Sequence, residues 1–372
     1  MNIILDKDLG SLSKVLSKYS ASNIKSLSYD SITPSEVKNC DALFVRSVTK
    51  IDKTLLGKSN VKFIYSLTSG DDHIDFEFLK KSKIKIFTGK GLNATAVAQY
   101  FYSVLSQLIM SQKFEPFRSS VGLIGFGFIG KKIKLTLDQI NFPCKMYDPY
   151  LDEAKDSLES VLKSDLISLH CSYSKNGRFP SHHLINKQTL QNFKDDQILI
   201  NTSRGEVIEN TLYNSSFKNQ FILDVWPNEP NTDKQLFKGA FMATPHIAGK
   251  TYNSEDYFIE DAIKKFSSYF ELEYKNLSNS LELIPFHLES KVEDEILKFG
   301  LPVSLILKIY DVRRDEIEFL KFLEKIEKNF FKEFQVLRKK MKRPGFESFL
   351  LRGNFDNKTK KVLRTLGFRL EA

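Results

Sequence analysis

The chain has 372 residues, 41% of them hydrophobic and 12% aromatic, with a formal net charge of +9. That apolar content excludes a disordered chain, and at ~100–200 residues per domain the length calls for two or three domains. From Phe286 to Ala372 there are 20 Lys and Arg against 14 Asp and Glu, so +6 of the excess lies in the last quarter of the chain. Short β-rich runs alternate with helical spacing through the first 250 residues, the signature of parallel α/β architecture. MNIIL, DALFVRS, VKFIYSL and IKIFTG read as strands, with LSKVLSKY helical between the first two. Ala96–Met110 is long and apolar on more than one face, which predicts a buried helix. A second series follows: strand SVGLIG, helix GKKIKLTLDQI, strand CKMYD, then LESVLKS, LISLHCS, ILINTS, FILDVW and the short strand FMATPH. After His246 the stretch NSEDYFIEDAIKKFSSYFELEY is helical, NLSNSLELIP reads as a linker, and the tail from about Phe286 mixes helices and strands.

Cys40, Cys144 and Cys171 are odd in number and widely spaced, without a Cys/His metal spacing. They fit free thiols in a reducing compartment, and no metal is expected. The start reads as a first strand rather than a signal peptide, and no apolar run reaches the ~20 residues of a membrane span. A soluble cytoplasmic protein is the expectation, with no membrane partner. The basic tail is interspersed with acids and carries no nucleic-acid motif, so no nucleic-acid partner is expected either.

The strand–turn–helix at Val121–Gly130, VGLIGFGFIG, holds Gly125, Gly127 and Gly130 as GxGxxG. The first glycine allows a tight turn, the second lets backbone approach a pyrophosphate, and the third permits close helix–strand packing. The helix N-terminus offers unpaired N–H groups to phosphate, with Phe128 and Ile129 in its first turn. Asp148 follows 23 positions after Gly125, at the end of CKMYD. A carboxylate there accepts hydrogen bonds from ribose hydroxyls and repels the extra phosphate of NADP, so NAD is the expected cofactor. A structural glycine turn with a chance Asp is the alternative, which the combined strand, turn, helix and acid disfavour.

Three further groups follow predicted strands: Arg204 in INTSRG, Asp224 and Glu229 in LDVWPNEP, and His246 in ATPHIAG. All lie beyond strand C-terminal ends, where ligands of open α/β sheets bind. Singly, Arg204 could be a surface ion-pair partner and His246 a core histidine. Together they make a base, its orienting carboxylate and a cation. His can take an alcohol proton while hydride leaves the same carbon, and Arg can grip a carboxylate through two parallel hydrogen bonds. A 2-hydroxy acid presents both features.

On these motifs the chain resembles the D-2-hydroxyacid dehydrogenase family over roughly residues 1–275. The resemblance implies two Rossmann-like doubly wound parallel-sheet domains. A substrate-binding domain would span 1–91 and be completed by 251–280, and an NAD-binding domain would span 92–250. It implies Arg204, Glu229 and His246 as catalytic residues. Gly125, Gly127, Phe128, Ile129, Gly130, Asp148, Cys171, Thr202, Ser203, Asp224 and Gly249 would meet the cofactor. Ser47 and Thr68, in RSVT and TSG, would meet substrate.

The tail narrows the resemblance. KIYDVRRDE, FQVLRKKMKRPGFESF and the final LRTLGF are similar to one branch of that family, whose small C-terminal α+β domain, here 286–372, forms a homodimer. The branch oxidises a phosphorylated 2-hydroxy acid, 4-phospho-D-erythronate, at C2 on the route to pyridoxal 5'-phosphate. Arg46, Lys250 and the Arg313–Arg314 pair are candidate phosphate partners, the last pair equally readable as an interdomain or dimer ion pair. Four departures stand out. Lys250 replaces a Tyr after HIAG, Gln99 a Glu, Cys171-Ser172 a Thr-Pro, and Gly70-Asp71-Asp72-His73 a GTDH segment. Another 2-hydroxyacid dehydrogenase, of the phosphoglycerate or glyoxylate type, and a non-catalytic NAD-sensing protein are the alternative readings.

Overall fold

A computed structural model describes residues 1–19, 23–229, 231–274, 283–287, 291–326 and 329–371. The chain divides into two compact units, one of 1–93 with 254–281 and one of 94–253 with 282–372. Both are built on parallel sheets, as the alternating pattern predicts.

In the first unit the described strands are β1 (Asn2–Asp6), β2 (Asn23–Leu27), β3 (Ala42–Val45), β4 (Phe63–Ser66) and β5 (Lys85–Thr88), in the order β2-β1-β3-β4-β5. β3 and β4 are buried along their whole length. Such continuous apolar runs belong to strands covered on both faces. β2 is absent from the sequence reading. It is an edge strand whose NIKSL is largely exposed, so it carries no continuous apolar run. From Ser254 onward the helix Tyr252–Tyr269 lays Ile259, Ala262, Ile263 and Phe266 against Ile3, Phe44 and Phe63 in one core. These positions recur at three- and four-residue spacing, one stripe of a helix. The linker reading NLSNSLELIP lies mostly outside the described residues, and its last two residues, Ile284 and Pro285, already belong to a strand.

The second unit carries β6 (Val121–Ile124), β7 (Cys144–Tyr147), β8 (Leu166–Leu169), β9 (Ile198–Asn201), β10 (Phe221–Leu223) and β11 (Met242–Ala243), in the order β11-β10-β9-β8-β6-β7. The chain order reverses between β6 and β8, which pair Val121 with Leu166 through Ile124 with Leu169. That reversal opens a crevice at the strand C-terminal ends. Helix Ala94–Met110 is buried on nearly every face, as its composition predicts.

The C-terminal segment adds β12 (Ile284–His287), β13 (Phe349–Arg352) and β14 (Arg369–Leu370), a parallel sheet in that order. It packs into the core of the second unit. Leu305, Ile306, Val362 and Leu363 share one apolar cluster with Phe101, Leu105, Ile133 and Leu137. Phe319, Phe334 and Leu337 share another with Trp226, Phe237 and Leu223. Polar anchors repeat the same docking. Ser103 Oγ donates to the Tyr310 carbonyl at 2.8 Å and accepts from Val312 N–H at 3.0 Å. Glu316 accepts the N–H of Ala243 at 3.2 Å, occupying an edge donor of β11.

Trp226 is the single tryptophan of the chain. Its ring meets Phe237 edge-on with centroids 4.5 Å apart, and Phe237 in turn meets Phe319 at 5.0 Å. Phe319→Ala should therefore cost ~3–5 kcal/mol of stability by opening a cavity in a close-packed cluster. Trp226 fluorescence and far-ultraviolet circular dichroism should report it as one shared transition. A fluorescence transition unmoved by the substitution would contradict the shared core.

Candidate active site

The second unit brings the glycine turn, Asp148, Arg204, Asp224, Glu229 and His246 past the C-terminal ends of five strands of its six-stranded sheet. Gly125 follows β6 at φ +94°, and a Cβ there would lie 2.3 Å from the Cys171 nitrogen. A Cβ on Gly130 would lie 2.3 Å from the Gly125 carbonyl oxygen. Gly127 differs, since a Cβ there would meet nothing within 4 Å. Helix Phe128–Gln139 starts on Gly127 with no side-chain cap, so its first N–H groups have no acceptor within the helix. An open backbone face beside uncapped N–H groups fits a pyrophosphate. Asp148 follows β7, and its carboxylate accepts Phe126 N–H at 2.9 Å and Tyr150 N–H at 3.1 Å. It is thereby tied to the turn itself, with further lone pairs for ribose hydroxyls.

After β8 come His170 and Cys171. His170 takes Ser168 Oγ at 2.9 Å on Nε2 and Thr202 Oγ1 at 3.1 Å on Nδ1. Burial pushes its pKa down to about 3, so it is a neutral structural ring that orients Thr202. Burial likewise pushes the Cys171 thiol up to about 11. After β9, Asn201 shapes the turn carrying the cation. Its Oδ1 accepts Ser203 N–H at 3.0 Å and its Nδ2 donates to the Arg204 carbonyl at 2.9 Å. Arg204 Nη1 donates to the Ser203 carbonyl at 2.8 Å. Gly205 is obligatory here, because a Cβ would lie 2.1 Å from the Trp226 carbonyl carbon.

Glu229 and His246 form the tightest polar contact of the site. His246 Nδ1 lies 2.5 Å from Glu229 Oε2, and Glu229 Oε1 accepts Trp226 N–H at 2.9 Å. Burial by itself would raise the Glu229 carboxyl, but His246 and the Arg338 guanidinium outweigh it and hold the group below the usual carboxylate range. A carboxylate accepts only, so Nδ1 carries the hydrogen, and in the neutral ring Nε2 is the nitrogen with the lone pair. The His246 side chain is one third exposed, enough for a ligand to reach. His246 sits at φ +56°, an uncommon conformation for a residue with a Cβ.

That main-chain conformation is imposed from behind. Asp224 is 1% exposed; its Oδ1 accepts the Thr244 hydroxyl at 2.7 Å and Ile247 N–H at 2.8 Å, and its Oδ2 accepts Ala248 N–H at 2.9 Å. Tyr100 reaches Thr244 Oγ1 at 2.8 Å from the buried helix. Arg343 lies 3.8 Å over the Tyr310 ring and donates to the carbonyls of Ala248, Lys250 and Ala96 at 3.2, 3.2 and 2.9 Å. Gly249 follows Ala248 in the same loop. Asp224, read as a cofactor residue, therefore spends its carboxylate on the loop of His246.

The remaining sequence candidates are placed as follows. In the first unit Ser47 is exposed, and Thr68 Oγ1 donates to the Gly70 carbonyl at 2.9 Å. Arg46 is committed to two carboxylates, Asp6 at 2.8 Å and Asp8 at 2.6 Å, so a phosphate would compete with both. Asp71 faces Lys90 at 3.7 Å. In the second unit Arg313 pairs with Glu316 of its own helix at 2.6 Å, not across domains, and lies 5.0 Å over Phe241; Arg314 is exposed. Lys250 Nζ donates to the Arg338 carbonyl at 3.2 Å, and Gln99 Nε2 donates to Glu347 at 2.8 Å. Arg338, Arg343, Tyr100 and Thr244 were missed as functional residues. In sequence the two arginines sit inside a basic run that reads as a solvated face, and no spacing marks them. Among the described residues no group of His, Cys, Asp and Glu could hold a metal, and no helix is long and apolar enough to cross a membrane.

The doubly wound sheet, the glycine turn and the Arg–Glu–His set define an NAD-dependent 2-hydroxyacid dehydrogenase. Residues 102–248 match the family model of the D-isomer specific 2-hydroxyacid dehydrogenase, NAD binding domain. D-lactate dehydrogenase from Aquifex aeolicus, solved with NAD and lactic acid, superposes with a TM-score of 0.62 at 25% identity, covering 73% of this chain and 96% of its own. An erythronate-4-phosphate dehydrogenase of Wigglesworthia glossinidia brevipalpis is 36% identical over 291 residues, 72% of this chain and 77% of that relative. Another, from Hahella chejuensis, is 33% identical over 361 residues, 93% of both chains. The chain belongs to the erythronate-4-phosphate dehydrogenase family of D-2-hydroxyacid dehydrogenases, and its cofactor is NAD.

Gly130→Ala should drive the helix N-terminus away from the turn and weaken NADH binding at least about tenfold, because close helix–turn packing sets the anion site. A fluorescence titration with NADH measures it, and unchanged affinity would place the cofactor elsewhere.

Proposed function

We propose that this enzyme oxidises 4-phospho-D-erythronate at C2 to 2-oxo-3-hydroxy-4-phosphobutanoate, on the route to pyridoxal 5'-phosphate. The observation that carries the substrate is the 93% mutual coverage with a relative of that activity, beyond the 73% that a lactate dehydrogenase spans.

Bound NAD supplies the hydride acceptor. The N–H groups of Gly127, Phe128 and Ile129 would hold its pyrophosphate, with Gly125 and Gly130 shaping the turn, and Asp148 would accept from the adenosine ribose. Cys171, Thr202, Ser203 and Gly249 line the rest of its path, with Asp224 acting through the loop it shapes. His246 Nε2 takes the proton of the C2 hydroxyl as the carbinol carbon gives up hydride. Glu229 fixes the tautomer and stabilises the imidazolium that forms. Arg204 grips the carboxylate and C2 oxygen through its planar fork. Ser47, Thr68, Arg46 and Lys250 are the proposed substrate contacts. The proposed substrate-binding domain is 1–91 with 251–280, close to the first compact unit of 1–93 with 254–281; part of it lies outside the described residues.

Steady-state NADH formation, with a 2-oxoacid present to recycle NADH, tests this reading. The kcat/KM for 4-phosphoerythronate should exceed that for 3-phosphoglycerate at least about tenfold, given charged hydrogen bonds worth ~1.5–3 kcal/mol. His246→Ala should lower kcat by ~10²–10⁴ while NADH binding persists. Preference for 3-phosphoglycerate would overturn the substrate. Absence of turnover across a panel of 2-hydroxy acids would favour an NAD-sensing protein.

We also propose a cytoplasmic homodimer formed through the C-terminal segment. Its helix Val312–Lys325 exposes Ile317 and Leu320, 51% and 40% accessible, along one side of the buried Phe319 and Leu323 stripe. Light scattering should give twice the monomer mass, and Ile317→Glu with Leu320→Glu should halve it. A dimer unaffected by both changes would place the contact elsewhere.

A further inference from the structure

The C-terminal helix Phe330–Lys340 returns to the catalytic loop through Arg338. Nε and Nη2 of this guanidinium both donate to the carbonyl of His246, at 3.3 and 3.2 Å. Nη1 reaches Gln335 Oε1 at 3.4 Å, and the guanidinium lies 5.7 Å over the ring of the fully buried Phe334. The arginine is thus braced by its own helix. The residue it holds is the one at φ +56°, a backbone state that costs ~1–3 kcal/mol and persists only where its surroundings impose it. Four residues on, Lys250 Nζ donates to the carbonyl of Arg338, so the loop is tied to residue 338 at both ends. Neither tie uses the His246 imidazole, which stays on Glu229. The charge of Arg338 acts as well, since it is among the groups that keep the Glu229 carboxyl low.

We propose that Arg338 is a positioning residue for the His246–Glu229 pair: its fork fixes the left-handed main chain of His246, and its positive charge favours the ionised, proton-accepting state of the pair. The proposal rests on the reading of His246 as general base. Other groups face the pair too. Tyr213, buried and bonded to the Gly205 carbonyl, feels the charge of Glu229. Glu206 accepts Asn228 N–H at 2.8 Å, Lys250 lies on the Arg338 side, and Asp224 stands behind Ile247 and Ala248. Removing a cation from beside an acid–base pair disfavours its deprotonated form, so the base should titrate higher without Arg338.

The test is the pH profile of kcat/KM for 4-phosphoerythronate oxidation by the full chain with NAD, for wild type, Arg338→Gln and Arg338→Lys, with NADH affinity measured beside it. Arg338→Gln should lower kcat about tenfold and move the base limb up by about half a unit to one unit, with NADH affinity within about twofold. Arg338→Lys keeps the charge and loses the fork, so its limb should stay in place while kcat falls several-fold. A wild-type limb in Arg338→Gln would overturn the proposal, as would a loss of NADH affinity in proportion to kcat. If circular dichroism shows Arg338→Gln unfolded, Arg338→Lys decides: wild-type kcat overturns the proposal, and a several-fold loss with intact NADH binding supports it. A wild-type chain inert on 4-phosphoerythronate overturns the functional reading itself and this proposal with it. Active wild type with indifferent variants sinks only the proposal.

Discussion

A buried carboxylate holds the site together. Asp224 is almost wholly withdrawn from solvent, and three donors from 244–248 converge on its two oxygens. An ionised acid at that depth is tolerable only when its lone pairs are met, and here they are met by the loop that presents His246. The carboxylate and the loop thus specify one another. Without the loop's donors the charge would be stranded, and without the charge the loop would have no reason to curl back through a left-handed residue. Glu229 repeats the logic one step nearer the chemistry, with one oxygen on Trp226 N–H and the other on the imidazole.

The C-terminal segment is bound into this arrangement as structure, whatever else it does between copies. Phe319 and Phe334 fill the space beside Trp226 and Phe237, and Leu305 and Ile306 pack with the long buried helix. Arg343 then caps the carbonyls that the catalytic loop leaves pointing inward, at Ala248 and Lys250, and Arg338 caps that of His246. Buried carbonyls need donors, and guanidinium groups carry five in a fixed plane. A tail that resembles an appended module in sequence therefore forms part of the floor beneath the His246 loop.

Much of the fold and part of the site are legible in one dimension, and the boundary is physical. Buried parallel strands need unbroken apolar runs, so β3, β4, β6, β8 and β9 announce themselves. β2 does not, because an exposed edge strand has no such run to show. The glycine turn is equally plain. Gly125 and Gly130 are backbone approaches that only a residue without Cβ satisfies, and the chain must state that requirement as glycine. Asp148 follows β7 directly, and Arg204, Glu229 and His246 stand three to six residues past β9, β10 and β11, where chain order and spatial order coincide, so the sequence can propose them.

What the sequence determined by itself, then, is the class of fold, the place of the glycine turn and the residue types of the proposed catalytic set. These depend on contacts a few residues long or on the fixed geometry of a strand end. Only the tertiary structure decided how those residues are employed. It made Asp224 a support of the loop, tied Arg46 to Asp6 and Asp8, and brought Arg338 and Arg343 some 90 residues back to the carbonyls around His246. The partner of a buried charge or carbonyl is chosen by packing across the core, and two arginines in a basic run look alike until the core has closed around them.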